Sequence, residues 1–282
     1  VKVSPCLFYV PASRVEKLLK HVPRESVVLV LDLEDAVPKQ AKPVARERLA
    51  DVDLTGTGHN GVWMRINSIE TLDGLLDIQT ILALGGIIGG LPLETVLLPK
   101  ICGARDVAIY RSLLSVLPNP PEICSFIETV DAVENAFEIA AVSDGLCFGQ
   151  ADLVAEMWAP NESYLAHARS RMCVAASRYG LPVIDTNSFE LWDMDLVRAQ
   201  SEAAKLCGYT GKAAIHPKQV DTIVETFCTS PGELDAHYQT IKDYEADEAG
   251  FTVSKDRVLA PPFVLKARRT IALYDGIARP VR

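Results

Sequence analysis

Val27-Val28-Leu29-Val30-Leu31-Asp32-Leu33-Glu34-Asp35-Ala36-Val37 is the stretch on which the reading of this chain turns. Five consecutive apolar residues, three of them valines, read as a strand covered on both faces. They run straight into three acids within four positions. Carboxylates beside a core strand are held by a metal, a cation or hydrogen bonds. Acids also cap helices that follow strands, so this stretch alone leaves both readings open.

The pattern of apolar strand followed by polar residues recurs. Residues 5–10, 62–66, 95–98, 122–127, 145–148, 181–184 and 213–215 read as further strands. Helical patterns lie between them, at ~30 residues per unit. Ser13 is placed to N-cap a helix ending near His21. The helix after Pro38 carries Lys42, Arg46, Glu47 and Arg48 on its wet side, and residues 85–90 form a flexible, glycine-rich connection. Helices are also expected near 69–84, 104–116, 131–142, 162–179, 196–206, 218–227, 234–246 and 263–277. Alternation of this kind implies a parallel sheet, and eight units imply an α/β protein with a (β/α)8 TIM barrel. The rival is an open doubly wound sheet, but no GxGxxG or Walker loop occurs. Residues 1–246 are assigned to the barrel and 247–282 to a C-terminal arm and final helix, packing on the barrel or on a neighbouring subunit.

Composition narrows the class. With 282 residues, 49% of them hydrophobic, the chain can bury a sizeable core. No stretch approaches the ~20 apolar residues of a membrane helix, and Val1-Lys2-Val3-Ser4-Pro5 does not open a signal peptide. The seven cysteines are odd in number and form no CxxC, which favours core thiols in a reducing, cytoplasmic compartment over disulfides or zinc. A net charge of −9 argues against a nucleic-acid binder. Yet residues 255–282 hold seven basic and two acidic side chains, so a +5 tail follows a −14 body. Such a tail is a solvated face, or meets an anionic ligand or a neighbouring subunit.

A barrel gathers its C-terminal strand ends at one mouth. That brings together Glu34, Asp35, Arg65, Asn67, Lys100, Glu128, Asp152, Asp185 and His216. Glu128 and Asp152 close adjacent strands. They can share a Mg2+ ion through oxygen donors, or cap helices and pair with Arg or Lys. Arg65 suits a two-pronged grip on a carboxylate, or an ion pair with Glu34 or Asp35. Lys100 is either a Schiff-base nucleophile or, among so many acids, a charged hydrogen-bond donor. His216, before Pro217, is a structural histidine or a general base. No GxSxG elbow supports a serine hydrolase.

Taken together, the motifs resemble the citrate lyase beta-subunit-like proteins of the HpcH/HpaI aldolase/citrate lyase superfamily. They are Leu7-Phe8-Tyr9-Val10-Pro11, the opening stretch from Leu31 to Val37, Arg65-Ile66-Asn67, Leu98-Pro99-Lys100, Ile127-Glu128-Thr129, Phe148-Gly149 with Asp152, and Gly208-Tyr209-Thr210-Gly211-Lys212-Ala213-Ala214-Ile215-His216-Pro217. The resemblance covers nearly the whole chain. It implies a Mg2+-dependent lyase acting on a 3-hydroxyacyl-CoA, with citramalyl-CoA giving pyruvate and acetyl-CoA ahead of malyl or citryl thioesters. It implies Glu128 and Asp152 as metal ligands, and Arg65 and Glu34 as catalytic residues. Arg65, Lys100, Pro99, Asn67 and Gly149 would bind substrate, in a homotrimer with no nucleic-acid or membrane partner. Ala12 and Ala151 stand where relatives have glycine and an acid. Ala260 stands where many relatives carry a catalytic aspartate supplied across a trimer interface, which argues against thioester hydrolysis. Two other readings are a 2-oxo acid aldolase acting on a free hydroxy-oxo acid, and a metabolite-binding regulator without turnover.

Overall fold

The computed structural model describes residues 4–18, 27–228, 231–246, 252–254 and 257–274. The expected helix end near His21, the end of the final helix at 277, and Lys255, Asp256, Asp275, Arg279 and Arg282 lie outside these residues. The chain divides into two compact units, Val3–Phe227 and Cys228–Arg282.

In the first unit the opening stretch supplies strand β2, Val27–Asp32, buried at every position. It lies parallel between β1, Cys6–Pro11, and β3, Val62–Arg65. The sheet continues through β5 (Leu91–Leu98), β6 (Glu122–Ile127), β7 (Gly145–Phe148), β8 (Val183–Asp185) and β9 (Gly211–Ala214), which returns to β1, while β3 pairs with β5. Eight parallel strands therefore close, as expected, into a (β/α)8 barrel. Strand side chains alternate between two cores. Leu7, Val28, Val30, Trp63, Leu97, Cys124, Phe126, Cys147 and Ile184 fill the barrel interior. Leu29, Leu31, Met64, Leu98, Leu146 and Phe148 belong to the larger cluster against the helices.

The helices of this unit are α1 (Val15–Leu18), α2 (Lys42–Asp51), α3 (Leu72–Ala83), α4 (Ala104–Leu114), α5 (Val130–Glu134), α6 (Ala136–Val142), α7 (Gln150–Ala155), α8 (Glu162–Tyr179), α9 (Met194–Cys207) and α10 (Pro217–Phe227). Several local expectations need correction. Ser13 caps nothing, because the chain enters α1 through a 3-10 turn, Ala12–Arg14, without a side-chain cap. Residues 85–90 are no loose connection. A short strand β4, Ile87–Ile88, pairs antiparallel with the start of β5 through Gly89 and Gly90, whose φ values of 58° and 81° suit a two-residue hairpin turn. Strand β9 starts at Gly211, so Lys212 lies inside a strand. Lys42 and Arg46 are not on the wet side of α2; both are buried.

The second unit holds α11 (Pro231–Glu245), the antiparallel hairpin β10 (Thr252–Ser254) and β11 (Arg257–Leu259), and α12 (Pro261–Tyr274). Arg268 of α12 pairs with Glu245 of α11 at 2.8 Å. Among the described residues no helix is long and apolar enough to cross a membrane.

Candidate active site

At the C-terminal ends of the strands lies a cavity of about 420 Å³, within the range of small-molecule sites. Its floor is apolar, with Tyr9, Phe126, Cys147, Ile184 and Ala213, and its wall carries Asp32, Asp35, Arg65, Glu128 and Asp152.

Strand parity builds the first half of the site. Val28, Val30 and Asp32 share the inward side of β2, Trp63 and Arg65 that of β3, and the register sets Asp32 directly opposite Arg65. The guanidinium grips Asp32 two-pronged, Nε to Oδ1 at 2.9 Å and NH2 to Oδ2 at 2.5 Å. Glu34 Oε2 lies 2.9 Å from NH1 as an ion pair without hydrogen-bond alignment, and Asp35 stands off at 4.0 Å. Tyr9 and Phe126 flank the cation, their ring centroids 5.4 and 5.8 Å from Cζ. Burial works against charge on Arg65, but Asp32 and Glu34 outweigh it and hold the group well above its ordinary pKa. Burial drives the Glu34 carboxyl up to about 8, against the pull of Arg65 and with a push from Glu128.

The second half is centred on Glu128, which is 1% exposed at the end of β6. Lys100 follows β5 with φ +54°, the one positive φ outside glycine among the described residues. That turn directs its backbone N–H onto Glu128 Oε1 at 2.7 Å. Its ammonium bonds Asp152 Oδ1 and lies 3.5 Å from Glu128 Oε1. Asp152 sits in the first turn of α7, a helix the apolar pattern did not reveal. Burial lifts Glu128 to about 7, partly offset by Lys100. Burial opposes charge on Lys100 too, yet Glu128 and Asp152 raise its pKa, which favours the ammonium over a free amine nucleophile.

These carboxylates fit a divalent cation. A cationic group already lies between them, and a buried acid with a raised pKa gains from any added positive charge. Five carboxylates (Asp32, Glu34, Asp35, Glu128 and Asp152) gather around two cations, Arg65 and Lys100. Among the described residues no group of three or more His, Cys, Asp or Glu side chains converges as a ready metal cage. Glu128 and Asp152 would therefore supply two oxygens and leave the rest to water or substrate, which suits Mg2+.

The other expected residues divide. Gly149 lines the cavity, and a Cβ there would fall 2.4 Å from both Cβ and Oε2 of Glu128. Pro99 is buried and does not line the cavity. Asn67 also lies away from it, donating to Leu33 O and Asp77 and accepting from Lys42. His216 accepts the Lys218 backbone N–H through Nδ1 and does not line the cavity. Asp185 lines the rim, holding Arg169 at 2.8 Å and Lys212 at 2.6 Å. The sequence singles out Asp32 only as one of three acids ending the opening stretch, a structural support, and gives Tyr9, Lys42 and Lys212 no part in the site. Alternation along β1 and β2 was the available signal for Tyr9 and Asp32. Cys124 and Cys147 approach to 3.4 Å inside the barrel, and burial pushes the Cys147 thiol well up, as befits packing.

The model of the HpcH/HpaI aldolase/citrate lyase family matches residues 6–217. The chain belongs to this family. Within it, the chain is 27% identical over 283 residues to a protein of Cereibacter sphaeroides named (3S)-malyl-CoA thioesterase, covering 96% of this chain and 95% of that one. It is 26% identical over 299 residues to mouse (Mus musculus) citramalyl-CoA lyase, mitochondrial, covering 96% and 86%. The structure of a citrate lyase beta subunit from Mycobacterium tuberculosis, complexed with oxaloacetate and magnesium, superposes with a TM-score of 0.67 at 26% identity. That match covers 80% of this chain and 98% of the other.

Proposed function

We propose that this chain is a Mg2+-dependent lyase that breaks the carbon–carbon bond of a 3-hydroxyacyl-CoA, with citramalyl-CoA giving pyruvate and acetyl-CoA as the leading reaction. The observation that carries the reading is that one cavity is lined by Glu128 and Asp152, which Lys100 bridges from outside the lining, and by Arg65, which Asp32 grips through Nε and NH2 and Glu34 approaches at NH1. Glu128 and Asp152 would hold the cation, and Gly149 gives Glu128 the room to do so. A bound Mg2+ supplies Lewis acidity and open positions for oxygen donors. Arg65 takes the carboxylate of the 2-oxo acid portion and offsets negative charge as it builds. Asp32 and Glu34 orient that guanidinium. As the 3-hydroxyl gives up its proton and becomes the carbonyl of the 2-oxo acid, the electrons of the C–C bond pass to the thioester side as an enolate, whose α-carbon takes up a proton in return. Lys100 keeps a positive charge beside that change.

The floor supports the choice of substrate. Phe126, Ile184 and Ala213 suit the methyl group of pyruvate, whereas the acid-rich wall disfavours the additional carboxylate of a citryl thioester. The relatives named for malyl-CoA and citramalyl-CoA support the thioester class, and the magnesium complexed in the M. tuberculosis structure supports the cation. A homotrimer in the cytoplasm completes the proposal, with residues 247–282 as the arm offered to a neighbouring copy; light scattering reads that state. The test is to incubate the protein and Mg2+ with citramalyl-, malyl- and citryl-CoA and to follow pyruvate, glyoxylate and oxaloacetate. Release of no 2-oxo acid from any of the three overturns the reading. Ala260 favours a second one, a metabolite-binding regulator, which predicts 2-oxo acid binding without turnover.

A further inference from the structure

Lys42 is a buried cation to which the proposed reaction gives no task. Lys42 opens α2 yet is only 9% exposed. Its ammonium spends its three protons on three acceptors, Leu33 O at 2.8 Å, Glu34 O at 2.9 Å and Asn67 Oδ1 at 2.5 Å. The two carbonyls belong to the segment that follows Asp32 and carries Glu34. Asn67 stands two residues beyond Arg65. One side chain therefore ties together the ends of β2 and β3, the two strands that deliver the arginine and its acids.

The brace is complete on both sides. Behind it, Asn67 Nδ2 donates to Leu33 O at 3.0 Å and to Asp77 Oδ2 at 2.7 Å, and its backbone N–H reaches the same Asp77 oxygen at 2.8 Å. Arg46, one turn further along α2, pairs with Asp77 at 3.0 Å and Asp73 at 3.1 Å, so the buried charges are balanced. In front, Leu33 N–H donates to Arg65 O and Glu34 N–H to Asp32 Oδ1, each at 2.9 Å. Leu33 and Glu34 are thus gripped from the cavity side by the Arg65–Asp32 pair and from the helix side by Lys42. A tetrahedral ammonium matches three convergent acceptors that the flat fork of an arginine does not.

We infer that Lys42 is a positioning residue for the Arg65 half of the site, fixing the path of Leu33–Glu34 against Asn67 so that the Asp32 and Glu34 carboxylates stay on the guanidinium. The inference rests on the reading of Arg65 as the group that binds the 2-oxo acid. The test compares wild type with Lys42→Met and Lys42→Arg by hydrogen exchange of residues 33–37, and by calorimetric titration with sodium oxalate and, separately, with Mg2+. In Lys42→Met, exchange at residues 33–37 should rise at least ~10-fold while β6 and β7 stay protected. Oxalate affinity should fall ~10-fold, the scale of a lost supporting contact, with Mg2+ affinity unchanged. The Arg variant should fall between, and it carries the test alone if the Met variant does not fold. Unchanged exchange at 33–37, or oxalate and Mg2+ affinities falling together, overturns the inference. Failure of wild type to bind oxalate instead counts against the proposed function, and the exchange data still judge the brace.

Discussion

Gly149→Ala should weaken cation binding without removing a charged group. Gly149 has φ −106° and ψ 72°, so an alanine meets no backbone obstacle there. The obstacle is Glu128, whose Cβ and Oε2 would lie 2.4 Å from the new methyl. Reaching even a 3.0 Å contact requires a displacement of about 0.6 Å, and ordinary contact at 3.4 Å requires about 1 Å. Glu128 has little freedom to yield, being 1% exposed and tied through Oε1 to the Lys100 backbone. Overpacking of this kind costs ~1–3 kcal/mol. Moving a ligand oxygen by that distance should lower Mg2+ affinity ~10–100-fold, about 1.4–2.8 kcal/mol. Isothermal titration of Mg2+ into both proteins, with thermal melts alongside, reads the effect. Wild-type Mg2+ affinity in a folded Gly149→Ala protein would show that Glu128 does not hold the ion.

Arg65→Ala leaves Asp32, 1% exposed, without its partner. Urea unfolding should show a loss of ~3–5 kcal/mol, and adding Asp32→Ala should recover part of it. Glu128 and Glu34 have folded pKa values of about 7 and about 8, above the ordinary 4.5. Their contribution to apoprotein stability is therefore fully present below 4.5 and lost as pH rises through those folded values. Because the cation favours ionised Glu128, the Mg2+-induced rise in Tm should be larger at about pH 8 than at about pH 6; equal rises would refute the assignment. Ala260→Asp should introduce thioester hydrolysis if the arm serves a neighbouring pocket, read as CoA release without a matching 2-oxo acid.

The strand ends were legible because long apolar runs stop abruptly, and the barrel followed from their number and spacing. What the strands aim inward was also present in the sequence, since alternation from Val28 through Val30 reaches Asp32 and makes it the first partner of Arg65. The reach of that rule ends with the ladder. Asn67 lies two residues past β3, where the chain has turned toward Asp77, so its place was not readable from strand parity. Lys42 and Arg46 looked solvated because their partners, Leu33 O, Asn67 and Asp77, come from other elements and leave no local trace. The apolar pattern of the eighth strand begins only at Ala213, two residues after the strand itself starts at Gly211, so it gives no sign of Lys212. The position of Asp152 after β7 marks it in the sequence, but α7, which presents it, is too short to carry a clear apolar period.

The ammonium of Lys100 between Glu128 and Asp152 bears on when this protein can mature. A chain whose ligand cage is held together only by its metal remains unfolded until the metal arrives. Here an internal cation already pairs with both acids, so the charge balance of the proposed cation site does not wait for an ion, and the metal-free protein should fold. On the proposed function, ion supply would then set how much of a standing pool is active, and chelation should silence the protein while leaving its circular dichroism intact.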